Sequence, residues 1–459
     1  YPADIRAPQG SLTGVSGFQV SIAADKAFTP GDKCDVLVAM NPAALKTQYK
    51  FCKPTSSIII DVDSFKKADL EKAQFEATDA AGAIAEMGIK QDVIEVPVTS
   101  MVKDVLADSG MDPKAMLKCR NMLALGLVCY IFNRDLSIAE KFLREKFAKK
   151  PAIAENNIKV IHAGYDFGAN THASVSHTYN VVSKQTPAKK GRYMDINGNK
   201  ATAYGLIAAA EKAGLRLYLG SYPITPATDV LHELSKHKSL GVTTVQCEDE
   251  IAGCASALGA SFAGALGVTS TSGPGICLKS EAMNLAVIME LPLVVIDVQR
   301  GGPATGLPTK SEQTDLLQCL FGRNGETPMP VIAATSPADC FESAYAACKI
   351  ALEHMTPVVF MSDAYIANGS EAFKLPNLAE YPAINPPYVP ESMKGTWTPY
   401  MRDERDVRYW AVPGREGFAH ILGGLEKDSK TGAISTNPEN HDLMCRLRQS
   451  KIDKIQVPD

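Results

Sequence analysis

Nowhere in this 459-residue chain do two cysteines stand with two residues between them, although it carries eleven. Iron–sulfur clusters and zinc ribbons usually show that spacing, so the chain is expected to hold no metal cluster of its own. The cysteines are scattered, which favours reduced thiols in a cytoplasmic protein over a disulfide scaffold. Basic charge is also lacking. With 47 Lys and Arg against 51 Asp and Glu, the formal net charge is −4, leaving no electrostatic footprint for nucleic acid. The longest apolar run, Met122 to Phe132, is too short to cross a bilayer and reads as a buried helix. No stretch reads as a signal peptide. Gly-x-Gly-x-x-Gly and Walker sequences are missing, which disfavours a dinucleotide-dependent dehydrogenase or a P-loop enzyme.

What is present describes an α/β protein too long for one core. Asp35–Met40 and Ser57–Val62 are continuous apolar runs of the kind buried in parallel sheets. Asn41 and Pro42 supply a cap and a first-turn proline for the helix that follows. Met116 to Phe147 reads as two consecutive helices. Further strands are expected at Leu217–Ser221, Val242–Cys247, Val268–Ser272, Leu293–Val298, Val331–Ala334 and Val358–Met361, mostly separated by helical stretches. The expected fold is therefore two or more doubly wound α/β domains. Residues 1–184 form the first, with a helical tail, and 185–193 form a polar linker. Residues 194–375 form the second. Residues 376–459 are a Pro-rich connector and the start of a C-terminal region, with no regular fold legible.

Chemistry concentrates at predicted strand ends, where open α/β sheets bind ligands. Tyr222-Pro-Ile-Thr-Pro226 is an unusual way to end a strand. Pro226 restricts Thr225 to extended geometry, so its hydroxyl can project from the strand end. Thr225 or Thr228 could equally cap the next helix. Asp249 can cap a helix that opens at Glu250, where the helix dipole favours a carboxylate. That helix is rich in small residues, including Gly253, Ser256, Gly259 and Ala260, which let a backbone or flat ring approach. Read alone, Glu250 is more simply a capping carboxylate on a tightly packed helix. Glu248 is a competing carboxylate, expected on the strand and pointing elsewhere. Arg300 closes a buried strand at the mouth of the sheet and suits carboxylate binding, although pairing with Asp297 or Glu312 is an equal option. Gly273-Pro-Gly275 is a glycine-bearing strand-to-helix turn that could cradle a phosphate.

Tyr222-Pro-Ile-Thr-Pro226 resembles the substrate-side motif of the thiamine diphosphate-dependent 2-oxoacid:ferredoxin oxidoreductases. Gln299-Arg-Gly-Gly-Pro-Ala-Thr-Gly-Leu-Pro-Thr309 resembles that family's substrate loop. The likeness extends to Tyr1–Arg6, Gly14–Gly17 and Val36–Pro42, which look like a γ domain fused ahead of an α domain. This order is similar to the α subunit of the 2-oxoglutarate branch. The resemblance implies that the second domain is a thiamine-diphosphate pyrimidine-binding fold. It assigns Glu250 to the pyrimidine N1′, so that the exocyclic amine can take the thiazolium C2 proton. It assigns Thr225, Arg300 and Thr309 to the 2-oxoacid, and Tyr222, Pro223, Ile224 and Gly273 to the cofactor.

The family's Mg²⁺–diphosphate site uses a Gly-Asp-Gly strand end, and this chain contains none. The resemblance therefore implies a smaller β subunit that brings the diphosphate anchor, Mg²⁺ and a [4Fe–4S] cluster, in an αβ or (αβ)₂ complex. The implied reaction converts a 2-oxoacid and coenzyme A to acyl-CoA, CO₂ and two electrons for ferredoxin. 2-Oxoglutarate is the expected substrate, with pyruvate, a branched-chain 2-oxoacid or a broad range of 2-oxoacids as the alternative. A non-catalytic assembly subunit is the rival outside that class.

Overall fold

A computed structural model describes residues 10–23, 31–171, 178–181, 190–307 and 310–456. The chain divides into two compact units, Tyr1–Ala188 and Lys189–Asp459.

In the first unit, β1 (Cys34–Ala39), β2 (Cys52–Asp61) and β3 (Asp92–Val96) pair in parallel and in that order. Ile58, Ile59 and Ile60 of β2 are all buried, as expected of a central strand covered on both faces. β3 escapes the sequence pattern because it is a short edge strand whose apolar residues are interrupted by Asp92 and Glu95. α1 (Pro42–Gln48) begins where the sequence indicates, with Asn41 Oδ1 accepting from the Ala44 amide at 2.8 Å. The helical tail holds α2 (Arg120–Ile131) and α3 (Ser137–Lys146), followed by a longer helix that the sequence did not separate, α4 (Pro151–Asn170). α2 and α4 touch backbone to backbone. A Cβ on Gly126 would lie 1.9 Å from the Ile161 carbonyl, and one on Gly164 would lie 2.0 Å from that of Leu123. Only glycine permits this approach.

The second unit opens with β4 (Tyr193–Asn197), α5 (Gly198–Ala213), β5 (Leu217–Ser221) and α6 (Thr228–Leu234). There follow β6 (Val242–Gln246), α7 (Glu250–Phe262), β7 (Leu266–Thr271), α8 (Gly273–Met289) and β8 (Leu293–Gln299). Next come α9 (Leu316–Phe321), β9 (Val331–Ala333), α10 (Asp339–His354), β10 (Pro357–Asp363), α11 (Ala364–Asn368) and β11 (Ser370–Lys374). Six strands form a parallel sheet in the order β6-β5-β7-β8-β10-β9. α5 packs with α6 and α10, whereas α7 packs with α8, giving a helical layer on each face. The winding reverses beside β5, which has β6 on one side and β7 on the other. Across that gap Ser221 Oγ donates to the Ser270 carbonyl at 2.8 Å. This switch point opens a crevice at the carboxyl ends of the strands.

Residues 376–437 carry little regular structure, and α12 (Pro438–Asp453) follows. This stretch belongs to the same compact unit as the sheet. Ile384, Val407 and Trp410 tie it into the core of the sheet, and buried ion pairing adds to its order. Glu290, fully buried just after α8, accepts from Arg402 Nη1 at 2.8 Å and Lys451 Nζ at 2.7 Å. Arg408 Nε donates to the Glu290 carbonyl at 2.9 Å. Burial alone would raise the Glu290 carboxyl, but Arg402 and Lys451 hold it well below the usual carboxylate range.

Candidate active site

The turn after β5 is pinned through its backbone. Asn199 Nδ2 donates to the Pro226 carbonyl at 2.9 Å, and Arg300 Nη1 donates to the Thr225 carbonyl at 2.6 Å. The Thr225–Pro226 peptide is cis. Neither threonine caps α6: Ala227 holds that position and the helix has no side-chain cap. The Thr225 hydroxyl stays exposed and unbonded among the described residues. Pro223 and Ile224 are half-buried, and Tyr222 is 39% exposed.

Glu250 opens α7, with Asp249 Oδ1 capping the Ala252 amide at 2.7 Å. Glu248 sits exposed in the turn between β6 and α7, not on the strand as the sequence reading had it. Glu250 is only 7% exposed, yet its carboxylate forms no hydrogen bond or ion pair among the described residues. Lys279, fully buried on α8, donates instead to the Glu250 carbonyl and to Thr269 Oγ1, both at 2.9 Å. Burial lowers the Lys279 ammonium, and the Cys254 and Glu250 charges work against that. Gly275 lets the first turn of α8 close on this carboxylate. A Cβ there would lie 1.8 Å from Thr271 Oγ1 and 2.9 Å from Glu250 Cγ. The small residues of α7 serve two purposes. Gly253 and Ser256 let the helix approach β5, since a Cβ on Gly220 would lie 2.2 Å from Ser256 Oγ. Ile251, Ala252, Ala255 and Gly259 form an uncovered face instead.

Arg300 follows β8 and is 5% exposed. It pairs with neither carboxylate that the sequence offered. Glu312 Oε2 accepts from the Gly302 amide at 3.0 Å, and Asp297 is buried with the Asp315 carboxyl as its charged neighbour. Nη1 is taken by Thr225, which among the described residues leaves the Nε–Nη2 edge without a partner, Nε being fully buried. Burial lowers the Arg300 pKa and the charge of Glu250 opposes that shift, so the two groups sense each other without an ion pair. The loop after Arg300 returns to its own root: Gly301 N donates to Lys310 O at 2.8 Å, and Asp315 N to Gln299 Oε1 at 3.0 Å. Gly273 abuts Asp315, whose Oδ2 would lie 2.8 Å from a Cβ there. Thr309 lies outside the described residues.

The structure thus brings Thr225, Glu250, Gly273 and Arg300 to the carboxyl ends of β5, β6, β7 and β8. A cavity of about 480 Å³ lies elsewhere, bordered by Thr398, Tyr400, Arg402 and Leu443, and none of Thr225, Glu250, Gly273 and Arg300 lines it.

Residues 208–445 match a family model described as pyruvate flavodoxin/ferredoxin oxidoreductase, thiamine diphosphate-binding. Residues 2–167 match a second, pyruvate ferredoxin/flavodoxin oxidoreductase. The chain belongs to the 2-oxoacid:ferredoxin oxidoreductase family. It is 50% identical to the 2-oxoglutarate oxidoreductase subunit KorA of Mycobacterium tuberculosis, across 100% of this chain and 69% of that one. It is 40% identical to the 2-oxoglutarate synthase subunit KorA of Archaeoglobus fulgidus, over 57% of this chain and 67% of that relative. Among solved structures, the 2-oxoglutarate:ferredoxin oxidoreductase of Magnetococcus marinus, with 2-oxoglutarate, coenzyme A and succinyl-CoA bound, matches with a TM-score of 0.80. The identity there is 30%, over 94% of this chain and 69% of the other.

Three features of this family member's site escaped sequence reasoning. Lys279 looks like a surface lysine until α8 is seen packed against α7. Asp297 and Asp315 are separated by a whole loop, and Asn199 reaches a turn far along the chain. A charged residue within an apolar stretch was the available signal at Asp297, and Lys279, next to Ser280 and Glu281, offered none.

Proposed function

We propose that this chain supplies the pyrimidine-binding half of a thiamine diphosphate site in a coenzyme A-dependent 2-oxoglutarate:ferredoxin oxidoreductase. The observation that carries the reading is a pair of buried opposite charges, Glu250 and Arg300, left unpaired across one crevice. Such groups are costly to bury unless something completes them. The residues suit the cofactor's ring. Among the described residues the Glu250 carboxylate is free to bond a protonated ring nitrogen and Ser272 Oγ is buried without a partner, while Gly275 keeps the space beside the carboxylate narrow.

Bound thiamine diphosphate supplies the thiazolium carbon that adds to a 2-oxoacid. Glu250 holds the proton at the pyrimidine N1′, and water is largely kept from that carboxyl by the first turn of α8. Arg300 offers its Nε–Nη2 edge to the C1 carboxylate of the oxoacid, a fork matched to two oxygens. Its remaining bond, to the Thr225 carbonyl, fixes that fork in place. Thr225 presents its hydroxyl beside it, and Thr309 completes the substrate loop. Tyr222, Pro223, Ile224 and Gly273 border the ring.

In this reading residues 1–184 are the γ-type domain and 194–375 the pyrimidine-binding domain. The uncovered face of α7 meets a smaller β subunit that brings Mg²⁺, the diphosphate anchor and a [4Fe–4S] cluster. The names of the KorA relatives and the ligands of the Magnetococcus enzyme support 2-oxoglutarate as the substrate. The test is the purified complex, assayed for acyl-CoA formation from a panel of 2-oxoacids with a low-potential dye. Succinyl-CoA formation from 2-oxoglutarate in preference to pyruvate is expected. Preference for pyruvate or a branched-chain substrate would overturn the substrate, and no coenzyme A-dependent turnover would overturn the reaction.

A further inference from the structure

His441 and Cys445 lie four residues apart on α12 and therefore share one face of that helix. Cys445 Sγ is 3.8 Å from each ring nitrogen of His441. Glu326, in the segment between α9 and β9, reaches the same spot. One carboxylate oxygen, one ring nitrogen and the sulfur all lie within 4.8 Å of one another. Metal bonds of about 2.0–2.3 Å at a tetrahedral angle place neighbouring ligand atoms roughly 3.5 Å apart, so modest side-chain rotation closes the set.

We propose that Glu326, His441 and Cys445 bind a divalent transition-metal ion of the zinc class. The argument rests on what surrounds the ligands as much as on the ligands themselves. Glu426 Oε2 lies 2.8 Å from His441 Nδ1, which leaves Nε2 as the nitrogen free to ligate, as outer carboxylates do for ligating imidazoles. Arg448 Nη2 donates to Cys445 Sγ at 3.3 Å and to Glu426 Oε2 at 3.0 Å. Each of the two inner ligands on α12 thus has an outer partner holding its orientation. Arg448 is itself 4% exposed, so the outer shell is built into the core of the unit.

The charges also close. Two carboxylates and a thiolate bring −3, Arg448 brings +1, and a divalent ion completes the sum to zero. A thiolate with an imidazole selects zinc-like ions over magnesium or calcium, which take oxygen ligands. The ion would join α12 to the segment after α9 and leave a fourth position for water. It does not depend on the thiamine reading, since none of these residues belongs to the Glu250–Arg300 crevice.

The test uses the purified complex, stripped by a chelator and dialysed against buffered zinc, with bound metal counted by mass spectrometry. Wild type is expected to hold one more zinc per chain than Cys445→Ser. Glu326→Ala, an exposed substitution that leaves the fold intact, should weaken that binding. Glu426→Gln should weaken it about 10- to 100-fold. Zinc should also raise the Tm of wild type and not that of Cys445→Ser. Equal zinc content in wild type and Cys445→Ser, or affinity unchanged by Glu326→Ala, would overturn the proposal.

Discussion

Glu250 and Arg300 stand at the ends of β6 and β8, both buried, near enough for each to feel the other's charge and yet not joined. Each has a second hold on the scaffold: Arg300 through the Thr225 carbonyl, Glu250 through its own carbonyl to Lys279. The backbone is fixed while the reactive edges are left open. That arrangement preorganises a site, because the protein need not break an ion pair when a ligand enters.

Glu250→Gln keeps the shape and removes the charge. Turnover of the complex should fall by at least 10²-fold, in the range of about 10²–10⁴ for a lost acid–base group. Subunit assembly should be unchanged on gel filtration. Near-normal turnover would remove Glu250 from the chemistry.

Arg300→Ala should raise the KM for the 2-oxoacid by about 10- to 150-fold, equivalent to ~1.5–3 kcal/mol for a charged hydrogen bond. The KM for coenzyme A should not move. Steady-state kinetics with each substrate varied in turn separates the two, and an unchanged oxoacid KM would place Arg300 outside the site.

Gly275→Ala forces a methyl group against Thr271 Oγ1 and Glu250 Cγ. Overpacking of this kind costs about 1–3 kcal/mol, and here it displaces the acid as well. Activity should fall together with Tm. Adding Thr271→Ala removes the nearest atom, so the double variant should recover part of both. A double variant no better than the single one would mean that the clash lies elsewhere.

Asp297 and Asp315 lie close together at the root of the Arg300 loop, Asp297 fully buried. Burial first, and then the neighbouring carboxylate, pushes the Asp297 carboxyl well above the usual range. The folded pair therefore keeps a proton that the unfolded chain releases near pH 4. Its contribution to stability is full below that pH and is lost as pH rises through the raised value. Asp297→Asn supplies a permanent neutral donor. As pH rises from about 4, the Tm of wild type should decline more steeply than that of the variant. Parallel curves would show that the pair does not hold the extra proton.

Glu290→Leu leaves Arg402 and Lys451 buried without their anion. A loss of about 3–5 kcal/mol is expected, read from denaturant melts of the second unit. A cost below about 1 kcal/mol would show those cations to be satisfied by their backbone acceptors alone.

Much of the second domain was legible because continuous apolar runs such as Leu293–Val298 admit few alternatives to a buried strand. Local capping was legible for the same reason: Asn41 and Asp249 act on amides three residues away. Thr225 was less clear, since its choice between capping and projecting depends on where α6 starts. Glu248 was placed on a strand that ends at Gln246, an error of boundary. Short strands paired at edges, β3, β4 and β11, gave too little periodicity to be seen. The partners of Arg300 and Asp297 were out of reach, because long-range contacts leave no spacing to read. The same limit hid the order of the C-terminal stretch, whose buried ion pairs join residues more than a hundred positions apart.

The anchoring of Lys451 and Arg402 on Glu290 bears on anyone who wishes to express the sheet by itself. A shortened polypeptide stopping near Leu375 would strip an interior anion of every cation around it, and with them the plug over the end of α8. Trimming at what looks like a loose proline-rich tether would yield an insoluble product, and the smallest well-behaved version has to reach at least to the last turn of α12.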